Sequence, residues 1–413
     1  MKILHFSTSD SEGGSARSAR RLHQSLRRRG HVSRMLVGTR ASEDADAATV
    51  HGGGMRRILD RLAEEATRRV GLQYVWYPSG RRVRRHPWVA EADIVQLYNL
   101  HGGYLSLGLL PALARRAAIV WRLSDMWAMT GHCAYAGPCE RWQAGCGRCP
   151  DLASYPPLAF DTSALLWRRK RRLYAMARPT IVAPSRWIED LARQSPLFAG
   201  CAVHHIATAV DTAVYRPIPR LAAREILDLP KEQQLILFAA HSVDDDARKG
   251  SGAAVAALQR IPPRQDLAVL LLGGGGERWQ GRIPHPVFRL GFIRDERLLA
   301  AAYTAADLAL APASVENLPN AILEAMACGT PVVAFATGGI GEAVRHRETG
   351  WLAPPGDDAA LADGIRHLLA DTEERARLSA AGIALTRTTF SADREASEFL
   401  ALYERLRAAR AAA

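Results

Sequence analysis

KILHFSTSDSEGGSARSARRLHQSLRRRG, residues 2–30, decides the fold class. Ile3 to Phe6 form a short apolar run, Gly13 and Gly14 break it, and Ala16, Ala19, Leu22 and Leu26 then recur at helical spacing until Gly30. A strand that passes through a glycine turn into a helix ended by glycine is a βα unit. Further short apolar runs follow at Met35–Val37, Ile94–Leu97, Ile119–Trp121 and Ile181–Ala183, with helix-forming stretches between several of them. Apolar strands alternating with helices predict a parallel sheet covered on both faces.

The stretch from Gln194 to Pro219 is rich in prolines and turns, and a second series begins after it: Leu235–Phe238, Ala268–Leu272, Leu308–Leu310 and Pro331–Ala334. A chain of 413 residues also exceeds what one core usually supports. The expected fold class is therefore α/β, with two Rossmann-like doubly wound domains and a ligand cleft between them at the carboxyl ends of the strands. The boundaries read as 1–200 for the first domain, 201–390 for the second, and 391–413 for a closing helix. That helix carries Phe399, Leu400, Leu402 and Leu406.

The composition, 48% hydrophobic and 23% charged, is that of a soluble globular chain. The short apolar start runs straight into Ser-Asp-Ser-Glu, unlike a signal peptide, and no apolar run reaches the ~18 residues of a membrane span. A cytoplasmic protein is expected. Its formal charge of +12 is lopsided: residues 1–200 hold 31 Lys and Arg against 16 Asp and Glu, the remainder 23 against 26. The clusters Arg81–Arg85 and Arg168–Arg172 suit anionic lipid headgroups and peripheral attachment at the inner membrane face, with a solvated basic face as the alternative and no nucleic-acid role expected.

The chemistry concentrates in Glu316-Asn317-Leu318-Pro319-Asn320-Ala321-Ile322-Leu323-Glu324-Ala325-Met326-Ala327-Cys328-Gly329-Thr330-Pro331. Pro319 suits a first helical turn, which puts Glu316 in the preceding loop and Glu324 two turns along, beside amides that would seat a diphosphate. This stretch resembles the glutamate-x7-glutamate motif of the retaining family 4, or group 1, glycosyltransferases of GT-B fold. Tyr303–Asp307, Gly338–Glu342 and Gly350–Pro354 extend the resemblance. It implies that Glu316 approaches the donor sugar and Glu324 the nucleotide ribose, with Asn317, Leu318 and Pro319 between them at the donor.

Arg248-Lys249-Gly250 follows the first strand of the second series, and two cations there would neutralise charge on a leaving nucleoside diphosphate. The family uses a basic pair in this way, although its arginine sits nearer the strand end, where this chain has His241-Ser242. A solvated basic loop is the alternative. Asp244–Asp246 read as a hydrated acidic loop rather than a metal site, and no catalytic cofactor is expected. Gly273 and Gly274 lie where a turn near the donor would, and Gly291–Arg294, with Ile293, resemble the segment that meets the nucleobase.

In the first domain Gly13 and Gly14 resemble the family's glycine loop, where a backbone approaches ligand closely, or else form a plain turn. Asp125, in Trp121–Trp127, is the candidate at the acceptor side, with His101 and His132 as helpers. Many relatives place a histidine before that aspartate; here the residue is Ser124. Cys133, Cys139, Cys146 and Cys149 cluster within a loop, 130–150, whose Cys-x-x-Cys end suits structural zinc, with free thiols and disulfides as the alternatives.

The resemblance implies retaining transfer of a sugar from a UDP- or GDP-sugar to a glycan or lipid-linked glycan in polysaccharide assembly, and a C-terminal helix, 391–413, that crosses back to the first domain. The rival readings are a silent nucleotide-sugar-binding scaffold at the membrane and a GT-B sugar-nucleotide epimerase. A phosphorylase would need a lysine placed for pyridoxal phosphate, and none of the four in the chain is.

Overall fold

The computed structural model describes residues 1–244 and 246–412; Asp245 of the acidic loop lies outside them. The chain divides into two units, Met1–Ala207 with the segment from Glu395 onward, and Thr208–Arg394.

The first unit holds β1 (Lys2–Ser9), β2 (Val32–Thr39), β3 (Ala47–Thr49), β4 (Ile94–Leu97), β5 (Ala118–Arg122), β6 (Thr180–Ala183) and β7 (Val203–His205). They form one sheet in the order β3-β2-β1-β4-β5-β6-β7, every pair parallel. The helix Gly14–Arg28 buries Ala16, Ala19, Leu22 and Leu26, the four residues whose spacing predicts it. Its Leu22 and Leu26 join Ile3, Ile94, Val120 and Val182 in a core closed by Phe399, Leu402 and Tyr403 of the last helix, Ala392–Ala411. Tyr403 Oη donates to Gln96 Oε1 at 2.8 Å, and Glu395 lies 3.2 Å from Arg21 Nε, both within this unit.

The division falls at 207/208 rather than 200/201 because β7 pairs with β6, Ile181 opposite Val203, and so extends the first sheet through part of the expected linker. The last helix joins the first unit from Glu395 rather than 391, since Ser391 still bridges Val210 in the second.

The second unit holds β8 (Gln234–Ser242), β9 (Leu267–Gly274), β10 (Val287–Gly291), β11 (Leu308–Ala311), β12 (Val332–Phe335) and β13 (Trp351–Ala353). Their order is β10-β9-β8-β11-β12-β13, again parallel. Leu267 to Leu272 are all buried, as a central strand covered on both faces requires. In each sheet the strand order reverses beside the first strand, and at such a switch point the loops leaving the carboxyl ends diverge and open a crevice. Among the described residues no helix is long and apolar enough to cross a membrane.

Candidate functional site

The switch point of the second unit lies between β8 and β11, and the loops leaving these strands carry Arg248, Lys249 and Glu316. Two glycines let the loops close on each other. Gly250 has φ 81°, and a Cβ there would stand 1.8 Å from the Pro312 carbonyl oxygen; Gly338 has φ 55°, and its Cβ would meet the Glu316 carbonyl at 1.7 Å. Ser314 N–H donates to Arg248 O at 2.9 Å, and Gly339 N–H to Glu316 O at 3.1 Å. The backbone thus fixes where the three side chains begin.

They converge. Lys249 Nζ lies 2.6 Å from Glu316 Oε1, and the Arg248 guanidinium contacts the same oxygen. Glu316 is buried, which alone would raise its pKa; the charges of Lys249 and Arg248 and their hydrogen bonds outweigh burial and hold it below the ordinary range. The basic partner comes from residue 248, beyond the strand-end positions His241-Ser242.

The helix Asn320–Ala327 follows, with Pro319 as its N-cap in extended conformation rather than in the first turn; no side chain caps its amides. Asn317, Leu318 and Pro319 are buried in the approach. Glu324, also buried, accepts a hydrogen bond from Tyr303 Oη at 2.9 Å. Tyr303 lies in a stretch the sequence marks, but its link to Glu324 has no sequence signal, because the two are joined only by packing of the helices Glu296–Ala305 and Asn320–Ala327. A cavity lined by Phe238, Lys249, Tyr303, Pro319 and Ile322 opens among these residues.

Gly273 and Gly274 end β9 next to β8, and half-buried Ile293 follows β10. The neighbouring Phe292 is exposed and meets the His241 ring edge-on at 4.9 Å. Asp244 and Asp246 turn the loop: Asp244 Oδ2 accepts from Gly276 N–H at 2.8 Å and Asp246 Oδ1 from Lys249 N–H at 3.0 Å.

In the first unit Gly13 is the N-cap of the first helix, at φ 91°, and Gly14 its first residue; open space surrounds the Gly13 α-carbon on the side a Cβ would take. Asp125 is buried and divides its oxygens, Oδ1 accepting from Trp127 N–H at 2.9 Å and Oδ2 meeting His101 Nε2 at 2.7 Å. His101 packs edge-on against Trp127 and Tyr155, and its Nδ1 is buried without a hydrogen-bond partner among the described residues. Ser124 Oγ donates to Ser15 Oγ at 3.0 Å. His132 does not join this pair: Nδ1 faces Pro156 O at 3.0 Å and Nε2 faces Cys149 Sγ at 3.3 Å. The four loop cysteines are half-buried free thiols.

The basic clusters differ from their linear reading at Arg169, half-buried and donating to Val75 O at 3.2 Å, and at Lys170. Lys170 is buried, its Nζ donating to Trp127 O at 2.5 Å and Thr130 O at 3.0 Å, and burial pushes its pKa down to about 7. Arg168, Arg171 and Arg172 remain exposed, as do Arg81, Arg82, Arg84 and Arg85. The helix Gly54–Arg69, unmarked in the sequence reading, exposes Met55, Ile58, Leu59 and Leu62 beside Arg56, Arg57 and Arg61.

Residues 233–371, which contain the whole Glu316 constellation, match the family described as "Glycosyl transferases group 1". The second unit carries a group 1 glycosyltransferase domain. Over 81% of the chain and 83% of the relative, the sequence is 25% identical to a protein of Escherichia coli (strain K12) provisionally named as the colanic acid biosynthesis glycosyl transferase WcaC. It is 35% identical to the D-inositol 3-phosphate glycosyltransferase of Xylanimonas cellulosilytica, where the match spans 49% of this chain and about half, 51%, of that protein. Among solved structures, Anabaena Alr3699/HepE, in complex with UDP and glucose, superposes with a TM-score of 0.68 over 98% of this chain and 99% of that one at 18% identity. The group 1 domain and its partner unit thus have the GT-B fold of two Rossmann-like units.

Proposed function

We propose that the chain is a retaining glycosyltransferase of polysaccharide assembly that takes a UDP-sugar in its group 1 domain and delivers the sugar to a glycan or lipid-linked glycan hydroxyl. The observation that carries this reading is the buried Glu316 carboxylate held by Lys249 and Arg248 at the switch point. An incoming diphosphate competes for the same two cations and frees the carboxylate to meet the donor sugar. In the reaction the bond from the anomeric carbon to the diphosphate oxygen breaks, the acceptor oxygen bonds that carbon on the same face, and the acceptor proton passes to the leaving phosphate. Lys249 and Arg248 then neutralise the charge that develops on the diphosphate, the electrostatic contribution that counts most in such a step. Glu324, held by Tyr303, takes the ribose. In the first unit, Asp125 and His101 orient the acceptor hydroxyl. The UDP assignment draws on Alr3699/HepE, whose structures hold UDP.

The exposed apolar row of Gly54–Arg69, flanked by arginines and by Arg81–Arg85, suits an anionic membrane surface, each cation near the headgroups adding ~1 kcal/mol. On this reading the enzyme works at the membrane that would hold a lipid-linked acceptor. A thermal-shift panel of UDP, GDP and ADP tests the donor. Nucleotide at about a hundred times its Kd stabilises by ~2.7 kcal/mol, or about 5–10 °C for a unit of this size. UDP should stand out; a shift for GDP or ADP alone would overturn the UDP assignment, and silence across the panel would overturn the donor site.

A further inference from the structure

The stretch 133–149, in the loop between β5 and the helix Ser163–Ala177, plays no part in the transfer proposed above, yet it holds four of the chain's six cysteines within 17 residues. Its Cys-x-x-Cys end has an unusual backbone: Gly145, Cys146, Gly147 and Arg148 stand consecutively at φ of 123°, 55°, 91° and 47°. Two of the four are non-glycine residues in the left-handed region, a conformation that persists only where the surroundings dictate it. The run turns the chain so that Gly131 N–H donates to Cys146 Sγ at 3.2 Å, and Cys149 Sγ comes to 3.3 Å from His132 Nε2. Cys133 lies within electrostatic reach of Cys146 and Cys149, and Cys139 of the same two. Lys170, buried above the Trp127 ring, faces Cys133 and Cys146 and hydrogen-bonds carbonyls of Trp127 and Thr130. The other charged groups that face the thiols are Asp151 and Asp161 beside Cys149.

We propose that Cys133, Cys139, Cys146 and Cys149 bind one zinc ion that staples this loop. Four cysteines make a complete tetrahedral set for a closed structural site, and soft thiolate ligands select zinc over harder divalent ions. Binding releases the four thiol protons and leaves a site of charge −2, which the Lys170 ammonium beside it partly offsets. Backbone N–H donation to sulfur, as from Gly131, stabilises a thiolate. Sulfurs bound to one zinc stand about 3.8 Å apart, given Zn–S bonds of about 2.3 Å. Among the described residues the set whose ligand atoms all lie within 4.8 Å of one another is His367, Asp371 and Glu374, so the thiols must draw together on binding. Zinc there would hold the loop on the Asp125 region, since Met126 N–H donates to Ala134 O at 2.8 Å and Ala134 N–H to Tyr155 O at 2.7 Å.

The full chain, purified without chelators or a metal-binding tag, should contain close to one zinc per molecule by mass spectrometry of the elements. A mercurial titrant should release that zinc as four thiols react. Cobalt exchanged into the site should show the thiolate-to-cobalt charge-transfer band of four sulfur ligands. Cys146→Ser and Cys149→Ser should lose the metal, whereas Cys201→Ser, Cys328→Ser and His132→Ala should retain it. Since substitutions within the loop could unfold it, the wild-type titration decides. Less than a tenth of an equivalent of zinc, with none taken up on incubation with the ion, overturns the proposal. So do disulfides among the four cysteines, or a cobalt spectrum with fewer sulfur ligands and metal lost on His132→Ala. None of these readouts depends on the transfer reaction.

Discussion

Removing Lys249 separates its two roles. Lys249→Ala deletes the ammonium 2.6 Å from Glu316 Oε1. For stability, stripping one partner from a fully buried pair costs ~3–5 kcal/mol. Here the Lys249 side chain is 23% exposed and Arg248 still contacts the same oxygen, so screening and the remaining cation reduce the loss to ~1 kcal/mol, about 2–4 °C in Tm. For catalysis, losing a preorganised positive group at the leaving diphosphate costs ~2.7–4 kcal/mol, or about 10² to 10³ in kcat. The assay pairs initial rates of sugar transfer at saturating donor with a melting curve of the same preparation. A variant that melts a few degrees lower yet turns over within about threefold of wild type, a difference under ~1 kcal/mol, would refute the argument. Lys249 would then only brace Glu316.

Four further outcomes follow from the geometry. Tyr303→Phe removes the hydrogen bond to Glu324, and a bond to a charged group is worth ~1.5–3 kcal/mol; nucleotide Kd should rise about tenfold or more, with titration calorimetry as the check and an unchanged Kd as the contrary result. Asp125→Asn leaves His101 without its carboxylate, and transfer should fall by about 10² while the nucleotide-induced melting shift stays intact; loss of both would move Asp125 from chemistry to folding. Ile58→Glu with Leu62→Glu should abolish sedimentation with anionic vesicles and leave transfer to a soluble acceptor unchanged, and continued sedimentation would remove this helix from the membrane contact. The folded pKa of Glu316 is depressed, so its contribution to stability is fully present above the ordinary value of 4.5 and is lost as pH falls through the lower folded value. The urea midpoint difference between wild type and Glu316→Gln should therefore stay flat from neutral pH down to about 5 and shrink only below the ordinary carboxylate range; a difference that already closes near pH 6 would contradict it.

What the chain reveals unaided follows burial. The central strands β1, β4, β5, β8, β9 and β11 are covered on both faces and read as apolar runs. The strands without such a reading are β3, β7, β10 and β13, the four sheet edges, which are three to five residues long and mostly half-buried. Missing β7 is what displaced the domain boundary. Within the site, Glu316, Lys249 and Glu324 stand out because their spacing is local to a loop and a helix. Asp125 and His101 are each marked in the sequence, but the contact between them and that of Tyr303 with Glu324 join residues 24 and 21 apart, which no periodicity encodes. Lys170 shows the reverse error: inside an arginine run it looks solvated, yet its helix turns that one position inward onto Trp127.

The most direct test of the central claim is UDP release from a UDP-sugar in the presence of a lipid-linked or oligosaccharide acceptor, with the product's anomeric configuration read by NMR, for wild type and Glu316→Ala side by side. The account predicts transfer with retention by wild type, and its loss in Glu316→Ala with UDP binding largely preserved. Unchanged transfer by Glu316→Ala, or an inverted product, would contradict it.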